Sequence, residues 1–223
     1  MAIFFRRENF LLFCIKTGFS VNNSGVKTQK ESKNLIGSER LTKAYSFNAL
    51  NEYSAGGIAD ALKSFNVARK RPIIVCVGSD LVLGDSLGPL VGTMLLRKKV
   101  DAFIYGTLSY PVTAKEIVCA KSQLKIMHPN CFTVAIDAAV GDFEDVGLVK
   151  VANSGLKPGL GVNKNLGTVG DCSIIGVVAG KSLKNYELFN MTRLNLIYTM
   201  AEKIAAGIMG FVSSFADSSE FSA

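Results

Sequence analysis

Residues 71–78 read RPIIVCVG, a short run of apolar and β-branched residues that ends at a glycine. A run without polar alternation is typical of a strand that is buried on both faces of a parallel sheet. Similar runs follow at residues 102–107 (AFIYGT), 131–137 (CFTVAID), 146–153 (VGLVKVAN) and 172–179 (CSIIGVVA). We therefore expect residues 71–78 to form the first strand of a mostly parallel sheet.

Segments with a helical spacing of apolar residues separate most of these strands. Apolar residues recur mainly three or four positions apart over residues 47–65, 88–98, 111–127 and 188–210, as on the buried face of an amphipathic helix. Strands that alternate with helices predict an α/β fold of three αβα layers, with helices on both faces of the sheet. In such folds, ligands bind beyond the carboxyl ends of the parallel strands.

The composition predicts a basic tail and one folded domain. Residues 1–43 contain eight Lys or Arg and three Glu, and residues 20–43 show no apolar period, which is typical of a disordered segment. The apolar run FLLFCI in this tail is too short for a signal peptide, and no later run reaches the ~20 apolar residues of a membrane span. We expect a disordered tail over residues 1–43, a single domain over residues 44–212 and a frayed C-terminus over residues 213–223.

The charge and the cysteines limit the partners and the compartment. The net charge is +7, of which the tail supplies +5, and the chain has no Trp. A nucleic-acid-binding domain needs a concentrated basic face with stacking aromatic residues, so we expect neither a nucleic-acid nor a membrane partner. The five cysteines form no C-x-x-C pair, as is typical of reduced thiols in the cytoplasm.

The segment GSDLVLGDSLGP at residues 78–89 joins the first strand to the next helix and fits more than one motif. It lacks both G-x-G-x-x-G and the G-K-[ST] ending of a Walker A loop, which argues against a phosphate loop. Residues 84–88, GDSLG, fit the G-x-S-x-G pattern of serine hydrolases, with Ser86 as the nucleophile. That chemistry needs a histidine after the acid, whereas the only histidine, His128, precedes Asp137, so the sequence disfavours it.

Two acids offer a different chemistry. Asp85 follows the first strand and Asp137 ends the third predicted strand, so both are expected at the carboxyl edge of the sheet. Two neighbouring carboxylates cannot both ionise at low cost, so one holds a proton while the other activates water. Acids at strand ends are also typical of helix caps and turns, so the residues alone leave a catalytic and a structural role open.

Several residues near these acids are candidates for binding a substrate. Glycines of the segment at residues 78–89 can bring backbone N–H groups close to a ligand. The long Gly-rich loop over residues 154–171 has a length that is typical of functional loops, and its lysines can hold a peptide carbonyl or an acidic side chain. An acid in the position of Asp80, in a turn after a strand, more often accepts backbone hydrogen bonds, whereas Asp171 can equally be a cap. The candidates are Gly78, Asp80, Gly84, Ser86, Gly88, Lys157, Lys164 and Asp171.

Five segments carry a resemblance to a known family. They are GSDLVLGDSLGPLVGTMLL, YGTLSYPVTA, AIDAAVGDFEDVGLVKV, LKPGLGVNKNLGTVGDCSIIGVV and NMTRLNLIYTMAEKIAAGI. In this order, over roughly residues 70–210, they resemble the YyaC-type sporulation proteins. That family is similar in fold to the spore germination protease and to the hydrogenase maturation proteases, which implies a phosphorylase/hydrolase-like αβα domain.

The resemblance also implies a function. The germination protease is an atypical aspartic enzyme that acts on small acid-soluble spore proteins, and its catalytic acids correspond by motif to Asp85 and Asp137. The resemblance therefore implies a sporulation-associated endopeptidase in the forespore or spore core. The alternative is a non-catalytic relative that keeps the pocket to bind a peptide or protein partner, and either protein can be an oligomer.

Two departures from the related proteins concern histidines. The hydrogenase maturation proteases add a downstream histidine to their nickel-contacting acids, but this chain has none after His128. No His/Cys cluster has the spacing of metal ligands, so we expect neither a metal nor another cofactor. Thr113 stands where the family pattern has histidine, so any role of that histidine is lost here.

Overall fold

The computed structural model describes residues 43–113, 116–156, 168–181 and 192–216. Two short 3-10 helices, Leu83–Ser86 and Phe143–Asp145, accompany the main elements. In chain order these are β1 (Ala44–Asn48), α1 (Ser54–Phe65), β2 (Pro72–Cys76), α2 (Leu87–Arg97), β3 (Phe103–Tyr105), α3 (Ile117–Met127), β4 (Phe132–Gly141), β5 (Leu148–Ala152), β6 (Cys172–Gly180) and α4 (Leu194–Ala216).

The six strands form one sheet in the order β1-β5-β6-β4-β2-β3. The four neighbours β6, β4, β2 and β3 are parallel, whereas β5 is antiparallel to β6 and β1 is antiparallel to β5. All five residues of β2 are buried, as expected of a strand with a partner on each side and a helical layer on each face. The mostly parallel α/β fold expected from the sequence is confirmed.

Helices cover the two faces of the sheet unequally. Alternate residues of β2 point to opposite faces: Ile74 and Cys76 join a large core beneath α1, α2 and α4. Ile73 and Val75 join a smaller core on the other face, where Ile117 of α3 packs. The three layers expected from the sequence are therefore present.

The N-terminal edge of the domain differs from the expectation. Residues 44–48 form strand β1, not the start of a helix over residues 47–65, and the helix begins only at Ser54. The apolar residues of β1 pair with β5, where Phe47 is opposite Val149. Because that partner lies about one hundred residues later in the chain, the local apolar spacing does not reveal it.

Two further element ends lie beyond their expected positions. β4 continues past Asp137 because β6 pairs with it as far as Gly180. α4 extends to Ala216, so the frayed C-terminus expected from residue 213 is wrong for residues 213–216. The tail up to residue 42 and the first part of the helix expected over residues 188–210 lie outside the described residues.

Helix α4 is long and apolar enough, by length and composition, to cross a membrane. Over Leu194–Phe215 its mean hydropathy is 1.2, yet half of that stretch is buried inside the protein. Ile197, Met200 and Ile204 are fully buried in the larger core. The apolar composition of α4 is thus that of a core helix.

The cysteines of the domain do not all behave as expected. Cys76, Cys131 and Cys172 are free thiols, and the first and last of these are buried. Burial raises the pKa of the Cys76 and Cys172 thiols, which keeps them protonated and unreactive. Cys119 is disulfide-bonded, so the expectation of reduced thiols is wrong at that residue.

Candidate functional site

Asp85 lies in the short 3-10 helix that joins β2 to α2. Backbone hydrogen bonds close this turn: the Ser79 N–H donates to the Asp85 carbonyl at 3.1 Å, and the Asp85 N–H donates to the Val82 carbonyl at 3.0 Å. They hold Asp85 beyond the carboxyl end of β2, where its side chain is half-buried. Burial raises the pKa of Asp85, although the backbone N–H of Ser79 acts in the opposite direction.

Two glycines let the turn approach the strand. Gly78 has φ +139°, and a Cβ there would lie 2.1 Å from the Asp85 carbonyl oxygen. A Cβ at Gly88 would lie 2.1 Å from the Val77 carbonyl oxygen. The N–H of Gly78 donates to the Val112 carbonyl at 3.0 Å, so it serves the fold and does not point at a ligand. Gly84 is buried inside the turn.

Asp137 lies on β4, one residue beyond the last pair with β2. Ile136 still pairs with Cys76, and its carbonyl accepts the N–H of Val77 at 2.8 Å. At Asp137 only β6 remains as a partner, with Ile175 in register. The end of β2 opens this side of β4 to the turn that carries Asp85. Asp137 Oδ1 accepts the backbone N–H of Ala138 at 2.9 Å.

The charge of Asp85 affects the ionisation of Asp137. Burial, and to a smaller extent the negative charge of Asp85, raise the pKa of Asp137 to about 8, against the opposing hydrogen bond from Ala138. Asp137 therefore keeps its proton near neutral pH, and Asp85 is the member of the pair that ionises first. The structure thus brings together the two acids that the sequence singled out.

The serine interpretation lacks its base. Ser86 is 7% exposed, and its Oγ donates to the Leu83 carbonyl at 2.6 Å. His128 lies beyond α3 at the amino edge of the sheet, where Nε2 is 2.8 Å from the Tyr105 hydroxyl and the ring is 4.1 Å from the Phe103 ring centroid. Because the chain has no other histidine, Ser86 has no imidazole partner.

The other candidate residues are distributed over both edges of the sheet. Asp80 is exposed in the loop that leads to Asp85. Asp171 lies at the amino edge, where its N–H donates to the Thr133 carbonyl and its Oδ2 accepts the Thr133 N–H, both at 2.8 Å. It therefore joins the starts of β6 and β4, ~13 Å along the strands from Asp137. Lys157 and Lys164 lie outside the described residues.

Thr113, the position of the missing histidine, lies at the carboxyl edge. Val112 forms a parallel bridge with Val77, which places Thr113 beside the loop that begins at Gly78. The Thr113 N–H donates to Glu116 Oε2 at 3.0 Å, and the Thr113 hydroxyl donates to the same oxygen. Glu116 is thereby tied to the start of α3, as in a capping box.

Known proteins place this chain in a family. A family model described as "Protein of unknown function (DUF1256)" matches residues 47–207, a span that includes both acids. This chain belongs to the DUF1256 family. The "Uncharacterized protein YyaC" of Bacillus subtilis (strain 168) is 41% identical over 142 residues, which cover 63% of this chain and 69% of YyaC. The resemblance to YyaC-type proteins is confirmed.

A solved structure also matches the DUF1256 chain. It is the [NiFe] hydrogenase maturation protease HycI from Thermococcus kodakarensis KOD1, which covers 68% of this chain and 98% of its own length at 18% identity with a TM-score of 0.44. Within the described residues of the DUF1256 chain, no group of three or more His, Cys, Asp or Glu side chains could hold a metal ion. The absence of a metal requirement remains a prediction.

The DUF1256 domain carries one feature near the acids that the sequence analysis missed. Apolar residues border the turn of Asp85, and the outermost, Leu81, is 89% exposed. Tyr110, in the turn between β3 and Val112, is 39% exposed. We call the partly or fully exposed apolar residues here the apolar lip: Leu81, Val82, Leu83, Leu108, Tyr110 and Pro111. The available signal was the run LVL, three apolar residues in a loop between a strand and a helix.

Proposed function

We propose that this protein is a sporulation-associated endopeptidase that hydrolyses peptide bonds with the Asp85 and Asp137 pair. The observation that carries the proposal is the burial of Asp137 close to the charge of Asp85, which together raise the pKa of Asp137 to about 8. A protonated acid beside an ionisable one is the arrangement that activates water at near-neutral pH.

The two acids have different roles in this reaction. Ionised Asp85 takes a proton from a water molecule as the water oxygen attacks the carbonyl carbon of the substrate. Asp137 donates its proton to the carbonyl oxygen, which gives a neutral tetrahedral intermediate. As the C–N bond breaks, Asp85 gives its proton to the leaving amine, and the hydroxyl of the intermediate returns a proton to Asp137. The pair is then in its starting state.

The relation to YyaC, together with the resemblance to the germination protease, supports a protein or peptide substrate. Small acid-soluble spore proteins are the first candidates, and the cytoplasm of the forespore or the spore core is the corresponding compartment. Neither a nucleic acid nor a membrane is required by this function. It also needs no cofactor, because both proton transfers use carboxyl groups of the chain.

Purified protein incubated with peptides from spore proteins, followed by mass spectrometry, tests the proposal. We expect the wild-type protein to cleave and the Asp85→Asn variant to be inactive. Asp60→Asn is a matched control, because Asp60 is exposed on α1 and pairs only with Lys63 among the described residues. Absence of cleavage by the wild-type protein, or full activity of Asp85→Asn, would refute the proposal.

A chelator tests the expected independence from metals. Dialysis against EDTA should leave cleavage unchanged, since the acid pair supplies only two hard oxygen ligands and activates water by proton transfer. Metal analysis of protein purified without added metal is the second measurement. Loss of activity on chelation, with recovery on addition of nickel or zinc, would contradict the two-acid mechanism.

The apolar lip favours a second candidate function, binding of a peptide or protein partner without hydrolysis. Apolar surface beside a polar cleft contributes to affinity whether or not a bond is broken. Such a protein would retain peptides and release them intact. The same incubation separates the two functions, because mass spectrometry detects bound and cleaved peptides independently.

A further inference from the structure

We propose that Leu81 is a specificity-determining residue, which contacts a large apolar side chain of the peptide near the bond that is cleaved; this inference rests on the proposed function. Leu81 is 89% exposed, more than any other large hydrophobic side chain among the described residues. It stands four residues before Asp85 in the same loop. A leucine so exposed contributes little to the core.

The loop holds Leu81 in a defined position. The Leu81 N–H donates to Ser79 Oγ at 3.2 Å, and the Ser79 N–H donates to the Asp85 carbonyl at 3.1 Å. One chain of hydrogen bonds thus connects Leu81 to the residue assigned to water activation. Because the loop is ordered before binding, a ligand that contacts Leu81 loses less conformational entropy on association.

Leu81 is not the only exposed apolar residue at this edge, because the apolar lip also includes residues of a second segment. Isolated exposed apolar residues are common in proteins and need no explanation. Here residues 107–112 reach the same edge of the sheet, because the Gly78 N–H donates to the Val112 carbonyl at 3.0 Å, and the Leu108 N–H donates to Thr93 Oγ1 of α2 at 2.9 Å. Two separate segments therefore present apolar groups at the carboxyl edge, and the segment of Leu81 also carries Asp85.

The charges around the lip favour an apolar occupant. Neither residues 78–96 nor residues 103–113 contain a Lys or Arg, whereas Asp80 and Asp85 both lie in the first segment. An acidic side chain of a peptide would meet like charges there without a cation from these segments. A Leu, Ile or Phe side chain would instead bury apolar area against Leu81.

A synthetic peptide library tests this inference apart from hydrolysis. The Asp137→Asn protein is immobilised and incubated with random-sequence peptides, and the retained peptides are sequenced by mass spectrometry. The same background carries Leu81→Ser, the conservative Leu81→Met, or Ile126→Ser as the matched control, since Ile126 is 73% exposed at the opposite edge. One retained peptide and its analogue with Ser in place of the apolar residue are then titrated by calorimetry.

We expect peptides with a large aliphatic or aromatic residue to be enriched, and the Ser analogue to bind about tenfold more weakly. Leu81→Ser should remove this discrimination, whereas Leu81→Met and Ile126→Ser should keep it. No retained peptide, no apolar preference, or a preference that survives Leu81→Ser would each overturn the inference.

The outcomes also separate this inference from the proposed function. A Leu81-dependent preference together with a wild-type protein that does not cleave would refute hydrolysis and leave Leu81 as a determinant of peptide binding. Cleavage by the wild-type protein without any effect of Leu81→Ser on peptide choice would refute the role of Leu81 and leave the acid pair intact.

Discussion

Ionisable side chains lie at both the carboxyl and the amino edge of the sheet, but their hydrogen-bonding and ionic partners differ. At the amino edge, Arg71 pairs with Asp101 at 2.9 Å, and the His128 imidazole contacts the Tyr105 hydroxyl at 2.8 Å. At the carboxyl edge, Lys181 pairs with Asp142 at 3.3 Å, but the described ion pairs include neither Asp85 nor Asp137, and each of these two acids is half-buried.

This difference distinguishes Asp85 and Asp137 from the paired ionisable groups at either edge. A paired group gains little by exchanging a proton with a substrate, because it already has a hydrogen-bonding or ionic partner. A buried acid with another acid as its neighbour has a raised pKa and therefore a proton to give. The acid pair therefore differs from His128 in its partners: neither acid has an ion-pair partner among the described residues, whereas the His128 imidazole contacts the Tyr105 hydroxyl.

The acid substitutions give the largest expected contrast between the two edges. Asp85→Asn and Asp137→Asn should each lower the cleavage rate by about a thousandfold or more, and the double variant should cost little more, because the acids act as one unit. His128→Ala at the amino edge and Ser86→Ala should retain most activity. Initial rates on one spore-protein peptide measure this. An inactive Ser86→Ala beside an active Asp137→Asn would restore the serine interpretation.

A substitution that disturbs backbone packing at the carboxyl edge is expected to have the second-largest effect, on the stability of the fold. Gly88→Ala should lower the free energy of unfolding by about 3 kcal/mol, since the new Cβ meets the Val77 carbonyl and neither backbone can yield easily. Gly56→Ala in α1 is the matched control, because a Cβ there has nothing within 4 Å. That variant should gain about 0.5–1 kcal/mol from helix propensity. Urea unfolding at neutral pH measures both.

The pH dependence of stability sharpens the contrast further. The pKa of Asp137 rises from 3.8 to about 8 on folding, so the folded state keeps a proton that the unfolded state releases between these values. Stability therefore falls as the pH rises through this window. Near pH 9, Asp137→Asn should be more stable than the wild-type protein by on the order of 2 kcal/mol, and near pH 4 the difference should vanish.

Thermal unfolding at several pH values checks this prediction, with a rise in Tm of roughly 4–8 °C expected for the variant at the alkaline end. Asp101→Asn at the amino edge is the control, because Asp101 is exposed and pairs with exposed Arg71. An Asp137→Asn curve parallel to that of the wild-type protein would show that Asp137 ionises normally in the fold.

The smallest effect is expected at the amino edge. Tyr105→Phe removes the hydroxyl that contacts His128 Nε2 and should cost about 1 kcal/mol of stability. Peptide cleavage should not change, because this pair lies at the opposite edge from the acids. A loss of activity in a variant that unfolds as expected would show that the two edges are coupled.

Much of this architecture could be predicted from the sequence where the signal is local. The apolar composition of two runs predicted strands β2 and β6. The position of Asp85 and Asp137 after predicted strands made them candidate site residues. β1 was missed because its identity depends on β5, a remote partner. The continuation of β4 beyond Asp137 was missed because it depends on pairing with the end of β6.

The same distinction, between a local signal and dependence on a remote partner, applies to the site residues. Asp171 was an open choice, because whether an acid before a strand caps its neighbour depends on which strand lies beside it, here β4 through Thr133. Ser86 matched a motif in sequence, yet its hydroxyl bonds to its own turn. Leu81 could not be predicted as a site residue, because its exposure depends on how the whole chain folds, whereas the sequence shows only a run of three apolar residues.

The glycine contacts around Asp85 have a consequence for protein engineering and for evolution. Close backbone contacts at Gly78 and Gly88 position Asp85 against β2, whereas Leu81 is exposed and Val82 is only partly buried. The side chains of Leu81 and Val82 can therefore be exchanged without disturbing these backbone contacts. A library randomised at Leu81 and Val82 should therefore explore new peptide preferences without moving Asp85.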